Sequence, residues 1–481
     1  MVSLFLREQK RYTFEQLCGL LNCSEGKAVH ILKRLREFGI VKMVRTVESQ
    51  RNMKELFEEN MIVCDIDHET EESCYVFTYV GVIVIEGIVL KCYPKYLMKT
   101  ERPTNELIQI LKVLEKYNSK EQNLRMFEEY SEDQPFNHLA VLLSLMYDFY
   151  ENGAYNTTQD IIESNGSGEI LWDKTINETI TWISDGRPYY IDLQTKRRVN
   201  DEYDYIKRLH ECILTRVSKE LEEADLLELF QIEEVHLNDE ELSDFGDTEY
   251  ILYRINNELN QQFNTRKQTL LKTMYTYVAE SGSLYSEQGI SLFGTNNFNL
   301  VWEKVCADIM DNQLNMRLGE LKLPVPLASK YNKKERLIDL IEKPLWSVTG
   351  KTARDTLIPD LISISRSSAG YDFLIFDAKY YNARLDANFE PFGQPGIESI
   401  TKQYLYQLSY QRFIKEHKFA KVRNVFLMPT EENKVLNKGE VSMEMLKALG
   451  LQNIKVRFIP ARTAFEHYLS GSKMDFKLLD L

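Results

Sequence analysis

The chain has 481 residues, with 73 acidic against 59 basic side chains, a formal net charge of −14, 43% hydrophobic and 27% charged residues. This is ordinary globular composition with material for about three domains. It argues against a chain built throughout to coat nucleic acid, and no run of about 18 apolar residues marks a membrane span. Met1 to Lys10 lacks the apolar stretch of a signal peptide, and the seven cysteines, at 18, 23, 64, 74, 92, 212 and 306, form no Cys-x-x-Cys pair. Reduced thiols in a cytoplasm fit that usage. Charge is uneven: Glu220 to Asp247 is densely acidic, while Lys27 to Arg45 and Lys330 to Lys351 are basic.

Residues 1–50 read as one unit. Thr13 is placed to cap a helix through Leu20, and Ser24 a second helix through about Phe38, where Val29, Leu32, Leu35 and Phe38 recur at helical spacing. Gly39 ends it and Ile40 to Thr46 follows as a strand, so the order is that of a winged helix. Lys27, His30, Lys33, Arg34 and Arg36 lie on or near the second helix, which suits either DNA-backbone contact or protein packing. Residues 51–102 form a β-rich segment, with strands expected at Met61–Ile66, Cys74–Val80, Val82–Ile85 and Ile88–Cys92, broken at Gly81 and Gly87. Residues 103–290 read as a helical middle domain, helical over 103–160, Tyr203 to Leu229 and Asp247 to Val278. The acidic run between them reads as a solvated face or connector.

Residues 291–481 change to mixed α/β character: a helix from Asn297 to Asp311, strands at Pro344–Val348, Leu357–Ser365 and Tyr371–Lys379, a helix from Ile397 to Lys415, then strands at Val422–Met428 and Ile454–Ile459. Ile358-Pro359-Asp360 falls on one strand and Phe376-Asp377-Ala378-Lys379 ends the next, joined by a hairpin turn over Arg366 to Gly370. Alternation places Asp377 and Lys379 on one face, and hairpin pairing brings Asp360 beside them. Two converging carboxylates make an oxygen-rich site for a hard cation such as Mg²⁺. A lysine beside it supplies charge near a phosphoryl group, which are the needs of phosphodiester hydrolysis.

Pro359-Asp360 with Asp377-Ala378-Lys379 resembles the signature of the PD-(D/E)XK nuclease superfamily. That resemblance implies an acidic residue from the preceding helix, which Glu303 in Leu300-Val301-Trp302-Glu303 matches, and a glutamine on the helix after the strands. Of Gln403, Gln407 and Gln411, which share one helix face, Gln407 is the candidate, although a plain polar face accounts for the spacing as well. Tyr79-Val80-Gly81-Val82-Ile83, Lys91-Cys92-Tyr93-Pro94-Lys95-Tyr96, Ile170-Leu171-Trp172-Asp173-Lys174 and Phe293-Gly294-Thr295 to Glu303 resemble the LlaJI restriction endonuclease family. That family is similar to McrC, the nuclease subunit of McrBC-type systems. The resemblance implies double-stranded DNA as substrate and a separate McrB-like AAA+ GTPase as partner. The sequence contains no G-x-x-x-x-G-K-[ST] phosphate loop, which agrees with that division of labour.

The sequence thus leads to a multidomain α+β and mixed α/β chain: winged helix, β-rich segment, helical middle and a C-terminal PD-(D/E)XK core. The expected site is Asp360, Asp377, Lys379, Glu303 and Gln407, with Asp360, Asp377 and Glu303 holding Mg²⁺. Two rival readings differ in class: a nuclease-like adaptor that cuts nothing, and a winged-helix transcription regulator.

Overall fold

The computed structural model describes residues 2–45, 73–125, 137–156, 158–200, 204–280, 284, 289–385, 388 and 391–481. It is a mixed α+β chain with several sheets, in two compact units. One comprises residues 2–84, 88–134 and 292–481, and the other residues 135–291 with the hairpin tip 85–87. Among the described residues no helix is long and apolar enough to cross a membrane.

The first unit opens with a strand not anticipated from sequence, Val2–Arg7, which runs parallel to Ile88–Tyr93. Helices Phe14–Leu21 and Glu25–Glu37 follow close to the expected bounds. Thr13 caps the first with a full capping box: its Oγ1 accepts from Gln16 N and the Gln16 side chain accepts from Thr13 N. Ser24 stands at the second N-cap without a side-chain bond. Val41–Arg45 and Arg11–Tyr12 flank Ser73–Phe77 in an antiparallel sheet. The strand expected at Met61–Ile66 lies outside the described residues.

Glu86 and Gly87 both adopt positive φ in the tight turn between Val80–Ile85 and Ile88–Tyr93, as the glycine suggested. Gly81 does not break its strand. It lies inside Val80–Ile85, where a Cβ would sit 2.1 Å from Phe293 O. The absent side chain lets the backbone at Phe293 and Gly294 approach closely.

The C-terminal part of this unit holds a five-stranded mixed sheet in the order Leu361–Ser367, Gly370–Ala378, Lys421–Thr430, Ile454–Pro460, Leu436–Val441. The first pair is an antiparallel hairpin and the next two contacts are parallel. Ile362, Ile364, Phe373 and Ile375 send alternate side chains into one core with Tyr406, Tyr410 and Phe413 of the helix Ile397–Glu416. Trp302 of the helix Phe298–Ile309 is fully buried and donates from Nε1 to Leu427 O at 3.2 Å.

Three expectations here are corrected. Asp360 lies just before its strand, which starts at Leu361, because Pro359 has no N–H to give a ladder. Ile358, expected on the same strand, also precedes it and is exposed. Leu345–Trp346 does not join the main sheet but pairs with Lys351–Thr352 in a small separate hairpin.

The second unit has helices His138–Asn152, Tyr205–Glu223, Thr248–Gln261 and Thr265–Ala279. It also carries β structure between 158 and 200, most of it in a stretch to which the sequence assigned no element within the helical domain. Thr158–Ser164, Gln194–Asn200 and Glu169–Ile170 form one small sheet, and Thr181–Ser184 pairs with Arg187–Tyr190.

Candidate active site

The hairpin register fixes the heart of the site. Leu361 is paired with Phe376; one step further along the same antiparallel register sets Asp360 opposite Asp377. Like charges this close repel, and here both side chains are largely removed from water. Asp377 is 2% exposed. Burial and the neighbouring Asp377 carboxylate push the Asp360 carboxyl up to about 9, with Glu303 adding to the rise and Lys379 opposing it. Without a cation the Asp360 carboxyl therefore favours its protonated form at neutral pH. Asp360 Oδ2 also accepts from Ala378 N at 2.8 Å, which fixes the carboxyl against the neighbouring strand.

Lys379 Nζ lies 3.0 Å from Asp377 Oδ1, so the alternation expected from Asp377-Ala378-Lys379 is realised. The backbone of Lys379 is held by its own N–H, which donates to Leu427 O at 2.8 Å. Burial works against its charge, but Asp377, Asp360 and Glu303 together more than offset that and raise its pKa. Glu303 is raised in turn by burial, with Lys379 lowering and Asp377 raising it. It approaches from the helix Phe298–Ile309, anchored one residue away by Trp302. Asp360, Asp377, Lys379 and Glu303 thus form one electrostatically coupled group.

Gln407 is not brought in with them. Its Oε1 accepts from Asn424 Nδ2 at 2.7 Å and Gln452 N at 2.9 Å, so its amide ties the helix to the sheet instead. On the same helix face Gln403 is fully buried and donates to Ile375 O at 2.9 Å.

Several contributors were not singled out from sequence. The phenol of Tyr406 is buried and held above its ordinary range by burial and then by Asp377, Asp360 and Glu303, so it stands neutral beside the carboxylates. Asn312 accepts from Ile362 N at 3.1 Å and donates to Asp360 O at 3.3 Å, while Gln313 N donates to Ile362 O at 2.7 Å. The segment after the Glu303 helix therefore clasps the start of the Asp360 strand. The signal was weak: an Asn-Gln pair after a helix reads as an ordinary turn.

A further clasp comes from the N-terminus. Tyr380, next to Lys379, donates its hydroxyl to the buried carboxylate of Glu8, which also accepts from Lys95 N at 3.1 Å. Lys95 Nζ sits 4.3 Å from the centroid of the Tyr380 ring.

The residues present suit a divalent cation in a limited sense. Among the described residues no three His, Cys, Asp or Glu side chains close around one point as a full protein cage. The dense part is the Asp360–Asp377 pair. A hard cation bound mainly by water and phosphate oxygens needs only one or two carboxylates, and placing positive charge between this pair removes the repulsion that now forces protonation.

These features define a class: a mixed-sheet protein with an acidic, lysine-bearing centre at the end of one strand. Comparison with known proteins takes the assignment further. The model of the LlaJI restriction endonuclease family matches residues 79–461, and the chain belongs to that family. It is similar to the type II restriction enzyme BsuMI component YdjA of Bacillus subtilis (strain 168), 27% identical over 418 residues, covering 84% of this chain and 83% of the relative. Among solved structures it is similar to a half-complex from the tetradecameric assembly of Thermococcus gammatolerans McrB AAA+ hexamers with bound McrC. That match has a TM-score of 0.36 and 12% identity, covering 98% of this chain and 99% of the other. A cryo-EM structure of the Thermococcus gammatolerans McrBC complex matches with a TM-score of 0.22 and 11% identity, over 59% and 81%.

Proposed function

We propose that the chain is the nuclease subunit of a cytoplasmic restriction system, a Mg²⁺-dependent endonuclease that hydrolyses phosphodiesters of double-stranded DNA. The observation that carries this is the buried Asp360 carboxyl beside Asp377 with Lys379 held on Asp377, in a member of a restriction endonuclease family. In this reading the five-stranded sheet with the Glu303 helix is a PD-(D/E)XK core, and Phe14 to Arg45 with its sheet is a winged helix.

Asp360 and Asp377 would hold the cation, with Glu303 completing its charge balance. When bound, Mg²⁺ supplies Lewis acidity and lowers the pKa of a bound water. Asp377 orients the Lys379 ammonium, which stays protonated and faces the charge that develops on the phosphoryl oxygens. The neutral Tyr406 hydroxyl stands close enough to the carboxylates to sense their charge and adds none of its own.

The partner reading rests on three points. The chain lacks a phosphate loop, it is acidic, so that most of its surface meets duplex DNA unfavourably, and its relative is named as one component of a restriction enzyme. We infer a separate McrB-like AAA+ GTPase that supplies energy. The test is a cleavage assay with purified chain, duplex DNA and Mg²⁺, with GTP and the GTPase subunit titrated in. Cutting that rises with the partner and vanishes in Asp377→Ala supports the reading. Cutting by the chain alone at full rate refutes the partner, and no cutting under any condition, with assembly intact, favours the non-catalytic adaptor.

A further inference from the structure

Directly before the Asp360 strand stands a small hairpin that the catalytic argument does not use. Leu345–Trp346 pairs with Lys351–Thr352, and the turn is closed by Gly350 N donating to Trp346 O at 2.9 Å. Its feet are tied by Ala353 N donating to Pro344 O at 2.8 Å and Thr356 Oγ1 donating to Glu342 O at 2.7 Å. The hairpin is therefore a braced projection.

Its side chains are unusual for such a projection. Trp346 is 66% exposed and Val348 99%, and Leu345 is exposed too. Four large apolar groups, counting Ile358 only two residues before Asp360, face water along one short stretch. From 342 to 356 the sequence holds Lys343, Lys351 and Arg354 against Glu342 and Asp355, a net charge of +1 in a chain of net charge −14, and both acids sit at the feet rather than the tip. Lys351 and Arg354 are exposed and make no ion pair among the described residues. Beside the foot at Pro344 a groove of about 870 Å³ opens, walled by Leu357, Leu408, Lys330 and Arg412.

Exposed apolar tips flanked by unpaired cations, on an otherwise acidic molecule, match the chemistry of a duplex. Phosphates meet the cations, and an apolar wedge meets base edges or sugars in a groove. An acidic protein surface would match the cations but leave Trp346 and Val348 unaccounted for, and an apolar protein surface would leave the cations unsatisfied.

We infer that the hairpin 343–354 is a duplex-DNA grip. Lys343, Lys351 and Arg354 take phosphates, Trp346 and Val348 seat in a groove, and the gripped strand is led past Ile358 to Asp360. This rests on the nuclease reading above.

The experiment uses the full chain with its GTPase partner and a fluorescently labelled duplex, binding being followed by anisotropy with Ca²⁺ replacing Mg²⁺ to prevent cutting. Trp346→Ala and the double charge reversal Lys351→Glu with Arg354→Glu should each weaken binding about tenfold or more. Only the charge variant should flatten the salt dependence, by about 0.9 in log–log slope per lost phosphate contact. With Mg²⁺ both should lower kcat/KM while cutting at saturating DNA persists. Circular dichroism should be unchanged, since the altered side chains are exposed. If both variants bind and cut like the unaltered chain while Asp377→Ala abolishes cutting, the grip is wrong and the nuclease reading stands. If they lose the GTPase subunit rather than DNA, the hairpin is a protein dock and the inference fails. If the unaltered assembly neither binds nor cuts duplex, both readings fall.

Discussion

The two compact units place their charged groups in different ways. In the unit with the acidic centre, large apolar side chains such as Trp302 and Phe376 are fully buried, while three acids are crowded around one lysine at one strand end. In the unit of residues 135–291, charges find conventional partners. Arg266 grips Asp148 with Nε at 2.9 Å and Nη2 at 2.6 Å, and Tyr155 donates to Glu258 at 2.5 Å. Apolar surface is left over there as it is on the hairpin of the first unit: Trp182 is 60% exposed, Ile183 77%, and Trp172, Ile176 and Tyr189 are exposed too. Unsatisfied charge marks a place for chemistry, whereas unsatisfied apolar area marks a place for contact.

The sharpest way to break that contrast is Asp377→Ala. Cleavage should fall by about 10³-fold or more, because the carboxylate proposed to hold the cation and to orient Lys379 is gone. Thermal unfolding should be unchanged or raised, since Asp360 loses its opposing charge. A large drop in stability would show the pair to be structural. Lys379→Ala should cost about 10²-fold in cleavage, of the order seen when one electrostatic stabiliser is removed, and calorimetry should still detect Mg²⁺. Loss of Mg²⁺ binding would contradict the role given to the lysine.

The second unit offers a titration without chemistry. His210 is fully buried; its Nδ1 accepts from Tyr155 N at 2.9 Å, and burial lowers its pKa to about 4, with Asp148 raising and Arg266 lowering it. Folding therefore favours the neutral ring. Its contribution is fully present above the unfolded pKa near 6.5 and is lost as pH falls toward about 4, a change on the order of 3 kcal/mol. Hydrogen exchange along Tyr205–Glu223 at pH 7, 5 and 4 should show progressive loss of protection, and His210→Gln should flatten that dependence. Equal loss in the variant would assign the acid sensitivity elsewhere. The smallest effect is expected at the exposed apolar groups: Trp182→Ser should move unfolding by less than about 0.5 kcal/mol, and a larger change would mean that the residue packs after all.

What could be read in advance follows the same division. Asp377 and Lys379 were legible because strand alternation is a short-range rule, and Thr13 because capping spans three residues. Asp360 was placed with the right neighbours although Pro359 keeps it out of the ladder. Gln407 misled because helical spacing tells which residues share a face but not what that face meets; here it meets Asn424 and Gln452. The strands between 158 and 200 were passed over because they show no sustained apolar alternation, and Thr181–Ser184 and Arg187–Tyr190 bury little. One usable signal was present: Asp185-Gly186, both at positive φ between Thr181–Ser184 and Arg187–Tyr190, is a strong short-range hairpin sequence. Tyr406, Asn312 and the Glu8 clasp depend on contacts between distant segments, which no local pattern encodes.

That clasp has a consequence for the order of events in the cell. Glu8 and Tyr380 are 372 positions apart, and the hydroxyl that meets the buried carboxylate belongs to the residue beside Lys379. At translation rates of 5–20 residues per second, roughly 20 to 70 seconds separate the synthesis of the two halves. During that interval the nascent chain holds a carboxylate without its tyrosine and has no lysine at the site. The acidic centre is thus absent from any nascent chain too short to include Lys379, and the proposed cutting site cannot assemble until nearly four-fifths of the 481 residues exist.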